Sequence, residues 1–108
     1  MPVMVRDMPL VKVKPLAEFP PGSVEEVEAG DAFYAVCNVD GKVHCIEGTC
    51  PHAGGPLGQG NLHGNYLVCP LHGWEFDTRT GLNDADEDVK LATFPVVVQD
   101  GVVHIDVP

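Results

Sequence analysis

With 108 residues, 44% of them apolar and 20% charged, the chain has room for one hydrophobic core, and a single domain over residues 1–108 is expected. Sixteen acidic residues against six basic ones leave a formal charge of −10, which argues against nucleic acid or an anionic membrane as partner and either favours basic protein surfaces or serves solubility alone. No apolar run is long enough to cross a bilayer, and the amino terminus lacks the apolar stretch of a secretory signal, so a cytoplasmic location is expected.

Taken in chain order, the periodicity is that of strands. Leu10 to Lys14 alternates apolar and polar, as a half-buried strand does. Pro20-Pro21-Gly22 breaks the chain, and Ser23 to Glu28 reads as a short strand with Val24 and Val27 as its apolar positions. Ala32 to Val39 and Lys42 to Ile46 flank Asp40-Gly41, a strong two-residue hairpin signal. That turn pairs Val36 with Cys45 and Cys37 with His44. Cys37 and Cys45 then face opposite sides of the sheet, where they act as small buried hydrophobes and form no disulfide. Leu67-Val68 and Trp74-Glu75-Phe76 read as short strands, the second running into a turn at Asp77 to Gly81. Asn83 to Asp88 is an acidic, exposed loop. Lys90 to Val98 and Val102 to Val107 form a last hairpin around Asp100-Gly101. No segment carries a helical stripe, so the expected fold is all-β, an antiparallel sandwich or small barrel.

Two strings lie outside this pattern: Cys50-Pro51-His52 and, after residues 53–68, Cys69-Pro70-Leu71-His72. Each pairs a thiol with an imidazole just beyond a strand, and each is followed by glycine, at Gly54-Gly55 and at Gly73. Two iron ions bridged by two sulfides need four protein ligands. Two sulfurs on one iron and two nitrogens on the other is the mixed ligation of a Rieske [2Fe–2S] centre. A structural zinc site competes, although zinc knuckles commonly pair Cys with Cys and His with His. Merely buried thiols and satisfied histidines are the other alternative. In a reducing compartment, four cysteines favour metal ligation over disulfides. His44, His63 and His104 have no ligand partner at such spacing and are read as surface or packing residues; Trp74, Phe76 and Phe94 are read mainly as core, with Trp74, Pro56 and Leu57 as a possible cover for the site.

These two strings, with Cys69 to Gly81 (CPLHGWEFDTRTG), make the chain resemble the soluble Rieske ferredoxins over nearly its whole length. The resemblance implies a Rieske-type antiparallel β-sandwich with a cluster-binding subdomain at one tip. It implies one [2Fe–2S] cluster per subunit, with Cys50 and Cys69 on the inner iron and His52 and His72 on the outer, electron-accepting one. It further implies an electron carrier with no catalytic residues. Such a carrier takes single electrons from a flavin-dependent NAD(P)H reductase and passes them, as a monomer, to a terminal aromatic-ring-hydroxylating oxygenase. Two other readings stand beside it: the small subunit of an assimilatory NAD(P)H-nitrite reductase, and a non-redox interaction module. Respiratory-chain Rieske proteins carry a disulfide between the cluster loops, at positions matching Gly55 and Leu71, and a serine at the position matching Trp74. Neither device is available here, so a low reduction potential is expected, about −150 mV.

Overall fold

The computed structural model describes residues 10–51, 54–71 and 73–108. Among the described residues, ten strands form three antiparallel sheets. The central one, in the order β2-β3-β4-β8, is built from Val24–Ala29 (β2), Ala32–Val39 (β3), Lys42–Glu47 (β4) and Thr93–Phe94 (β8). A second sheet, β1-β10-β9, consists of Val11–Pro15 (β1), Val102–Ile105 (β10) and Val96–Gln99 (β9). The third, β5-β6-β7, comprises Asn61–His63 (β5), Tyr66–Val68 (β6) and Glu75–Asp77 (β7). Among the described residues, helix is confined to single 3₁₀ turns at Leu16–Glu18 and Leu57–Gln59. No helix among them is long and apolar enough to cross a membrane.

β3 explains how these sheets stack. Tyr34 to Val39 are all buried, as in a strand covered on both faces, and all but Asn38, whose side chain is hydrogen-bonded, are apolar or aromatic. Ala35, Cys37 and Val39 point into one core with Ile46, Leu57, Leu67 and Phe76, and this core joins the central sheet to β5-β6-β7. Tyr34 and Val36 point the other way, into a core with Phe19, Cys45, Val103 and Ile105 that joins it to β1-β10-β9. Full burial of Ile46, Leu57, Leu67 and Phe76 contributes roughly 1.5–3 kcal/mol each relative to exposure.

The Asp40-Gly41 turn sets the register expected from sequence. Asp40 and Gly41 both have positive φ, 53° and 93°, the twist a two-residue hairpin needs. Val36 therefore lies opposite Cys45, and Cys37 opposite His44. The two thiols fall in different cores and stay free. Burial pushes each of them up from the ordinary 9.0 to about 12, and for Cys37 the neighbouring Cys45 adds to the rise.

Two expectations need correction. The segment from Lys90 to Val98 is not one strand: Thr93–Phe94 pairs with Ile46 and Cys45 in the central sheet, and Val96–Gln99 pairs with β10 in the other. Pro95, which has no N–H to offer a ladder, marks the crossing between sheets. The structure also adds β5, which turns through Gly64-Asn65 to pair with β6. With a single apolar residue, Leu62, this strand carries no alternation that sequence could reveal.

Candidate metal centre

Both cysteine strings occupy loops that lead into or out of the small sheet. The first loop connects β4 to β5, and the second connects β6 to β7. Their backbones close in the same way. In the first, the Cys50 N–H donates to the Gly55 carbonyl at 2.9 Å and the Gly54 N–H donates to the Cys50 carbonyl at 2.8 Å. In the second, the Cys69 N–H donates to the Trp74 carbonyl at 2.8 Å and the Gly73 N–H donates to the Cys69 carbonyl at 3.0 Å. The residue four after each cysteine takes a left-handed conformation, φ 70° at Gly54 and 76° at Gly73, which glycine adopts without a Cβ penalty. One frame thus occurs twice, with the histidine two residues after the first cysteine and three after the second.

Cys50 and Cys69 are 1% and 2% exposed and belong to one buried cluster with Leu57, Leu67 and Phe76. Pro51, Gly54, Pro70, Leu71 and Gly73 on the same loops are exposed. Each loop therefore turns its sulfur inward and its outer residues to solvent. The loops also touch one another. A Cβ built on Gly55 would stand 2.7 Å from the Cys69 sulfur and 3.1 Å from Cγ of Leu71, so only glycine lets the first loop approach the second this closely. That contact brings together the two positions at which a disulfide was judged impossible. His52 and His72 lie outside the described residues.

Surrounding hydrogen bonds fix the frame. The Gly48 N–H donates to the Phe33 carbonyl and the Leu57 N–H to the Gly48 carbonyl, each at 2.9 Å, which ties the first loop to β3. Gln59 donates to Glu26 Oε1 at 3.0 Å, holding the end of that loop against β2. Beyond the second loop, Arg79 binds Asp77 through its backbone N–H at 2.8 Å, Nε at 3.0 Å and Nη2 at 2.9 Å. The Arg79 guanidinium holds the Asp77 carboxyl below the ordinary carboxylate range, against the opposing effect of burial. Across from Cys37, His44 is pushed down mainly by burial and secondarily by the Arg79 charge.

The other histidines do what the sequence suggests. His63 is an exposed side chain 3.5 Å from Glu75 Oε1, and His104 places Nδ1 3.0 Å from its own strand's Val102 carbonyl. Leu57 belongs to the core that holds both cysteines, and Trp74 packs against it. Asp84 to Asp88 are exposed, as expected of that loop, but Asn83 is buried. Sequence reasoning missed that this segment walls the second loop: a cavity of about 310 Å³ is lined by Gly73, Trp74 and Asn83 to Asp86.

The donor set suits a [2Fe–2S] cluster. Two thiols in adjoining loops, sunk in one apolar core, offer soft ligands, and the contact at Gly55 keeps the loops closely apposed. Comparison with known proteins agrees. Residues 9–95 match the Rieske [2Fe-2S] domain family. Ferredoxin CarAc of Metapseudomonas resinovorans is 33% identical over 97 residues, covering 88% of this chain and 91% of that protein. The ferredoxin component of biphenyl 2,3-dioxygenase from Rhodococcus jostii (strain RHA1) is 34% identical over 100 residues, 92% and 94% of the two chains. Among solved structures, a chain in the complex of reduced oxygenase and oxidized ferredoxin in carbazole 1,9a-dioxygenase superposes with a TM-score of 0.85 at 31% identity, covering 93% of this chain and 94% of that one. A putative NADH-dependent nitrite reductase small subunit from Mycobacterium tuberculosis superposes at 0.80 over 89% and 92% of the chains, but at 19% identity this shows the fold alone. The chain belongs to the Rieske [2Fe-2S] domain family, and within it to the small ferredoxins, electron carriers whose cofactor is a [2Fe–2S] cluster.

Proposed function

We propose that Cys50, His52, Cys69 and His72 together hold the cluster, and that the protein is the ferredoxin of a Rieske oxygenase system. In this role it accepts single electrons from a flavin-dependent NAD(P)H reductase and delivers them to a terminal oxygenase that hydroxylates an aromatic ring. It works in the cytoplasm as a monomer and a single domain.

When bound, the cluster supplies one-electron redox chemistry with no open coordination position for a substrate. The chain's own residues supply the rest. Cys50 and Cys69 are carried on matched backbone frames, so their thiolates need little rearrangement to bind. Leu57, Leu67 and Phe76 exclude water from the sulfur side. Among the described residues of both loops, Pro51, Gly54, Pro70, Leu71 and Gly73 are exposed and accessible to a docking protein. Similarity to ferredoxin components of dioxygenases across almost the full length of both chains is the observation that carries the reading.

The ligand set is tested by His52→Cys and His72→Cys. Each substitution is expected to abolish the Rieske-type absorption and spin-resonance signals, and unchanged spectra would remove that histidine from the set. The partner assignment is tested by mixing the protein with an NADH-dependent flavin reductase and a Rieske oxygenase. Product formation should require all three components, and turnover without this protein would contradict it.

A further inference from the structure

The cavity beside the second loop has a composition that none of the foregoing uses. Trp74, half-buried, and Gly73 form one side, and the exposed acids Asp84 and Asp86 form the other, with Asn83 and Ala85 between them. The acidic side is ordered from within. The Asn83 side chain accepts from the N–H groups of Ala85 and Asp86, each at 2.9 Å, and donates to the Glu75 carbonyl at 3.3 Å. The Asp84 N–H donates to that same carbonyl at 3.1 Å. Among the described residues neither Asp84 nor Asp86 has a lysine or arginine as ion-pair partner, and no group of three metal-binding side chains stands there.

We propose that this cavity is a docking socket for one lysine or arginine side chain, presented by the protein that exchanges electrons with this chain. The proposal rests on the ferredoxin reading and names the chemistry of the partner at that site. An indole beside an acidic rim suits such a side chain: its aliphatic stem packs on apolar surface while its charged end meets carboxylates, and tryptophan is the aromatic residue that attracts cations best. A rim held by its own hydrogen bonds pays little ordering cost on binding. Position adds to the argument. The Trp74 carbonyl accepts from the Cys69 N–H, so the socket is one hydrogen bond from an inner ligand, and a seated partner is brought beside the cluster loops. On the same loop Leu71, 55% exposed, offers an apolar contact next to the charged one. The overall charge of −10 selects a basic partner surface before contact is made.

The test uses the reduced holoprotein and two electron acceptors of opposite charge, cytochrome c, which is basic, and ferricyanide, which is anionic, followed by stopped flow. Asp84→Asn with Asp86→Asn is expected to slow cytochrome c reduction about tenfold at roughly 0.01 M ionic strength, with the difference vanishing near 1 M. Ferricyanide reduction is not slowed. A charge-matched control, Glu18→Gln with Glu28→Gln at two other exposed positions, is expected to change the cytochrome c rate far less. Equal slowing by the control would reduce the effect to net charge and overturn the socket. Equal slowing with ferricyanide would place the defect in the cluster and overturn it as well. A concentration-dependent dimer abolished by the Asp84 and Asp86 substitutions would assign the groove to a second copy and also overturn it. The absorption spectrum, recorded first, keeps the two ideas apart: its absence in the unsubstituted protein defeats the ferredoxin reading, whereas an intact spectrum with unchanged rates defeats only the socket.

Discussion

Gly54 and Gly55 are adjacent glycines that serve different physical ends. Gly54 has open space around a notional Cβ but a φ of 70°, so Gly54→Ala costs about 1–2 kcal/mol of backbone strain and leaves the sulfurs undisturbed. Gly55 lacks that conformation, yet its Cβ would sit 2.7 Å from the Cys69 sulfur. Gly55→Ala is expected to cost roughly 1–3 kcal/mol through overpacking and, unlike Gly54→Ala, to lower the iron bound per chain. Thermal melts with iron analysis on both variants check this, and equal iron contents would contradict it. Cys37 and Cys45 lie one in each core of the central sheet. Raised to about 12, both thiols resist alkylation at pH 8 while the protein is folded. A folded-state value above the ordinary 9.0 means their contribution to stability is complete below pH 9 and is lost as pH rises toward 12. Alkaline unfolding in that window, moved to higher pH by Cys37→Ala or Cys45→Ala, is the expected result.

Among the elements, the β3-β4 hairpin shows what sequence can and cannot reveal. Its register was legible because Asp40-Gly41 imposes a twist that admits one pairing. Its burial on both faces was not, because an apolar run has the same spelling whether one sheet or two cover it. The two cysteine–histidine strings stood out in the sequence for a different reason: metal chemistry restricts residue type and spacing more tightly than packing does. Pro95 was visible in the sequence, but the change of sheet there depends on partners far along the chain. Asn38 is the buried polar residue that locks the hairpin to the preceding loop. Its side chain donates to the Phe19 carbonyl and accepts from the Gly41 N–H, while its backbone binds Gly22 and Ser23. Asn38→Leu removes both side-chain bonds and leaves the Phe19 carbonyl without its Asn38 donor, an expected loss of about 2–3 kcal/mol. Denaturant titration measures it, and a change under 0.5 kcal/mol would contradict this role.

For the whole molecule, the stacking of three sheets separates duties. The core around Phe19 and Ile105 supports the base, and the core around Phe76 buries the two cysteines against the same central sheet. The loops that carry them therefore rest on a scaffold braced from both sides, and reduction, which adds one negative charge, requires little reorganisation of the backbone. With no disulfide between Gly55 and Leu71, and an indole where respiratory relatives place a hydroxyl, the midpoint potential is expected at the low end of the Rieske range, about −150 mV. Voltammetry of the purified protein gives this directly, and a value well above 0 mV would contradict it.

Mixed ligation by two sulfurs and two nitrogens separates a Rieske centre from an all-cysteine cluster or a zinc site. Pulsed electron spin resonance on the dithionite-reduced protein, grown uniformly in nitrogen-15, counts the nitrogens bound to iron. Two strongly coupled nitrogens, each lost on substitution of His52 or His72, is the expected result. A spectrum without coupled nitrogen, or a protein that carries zinc in place of iron, would contradict it.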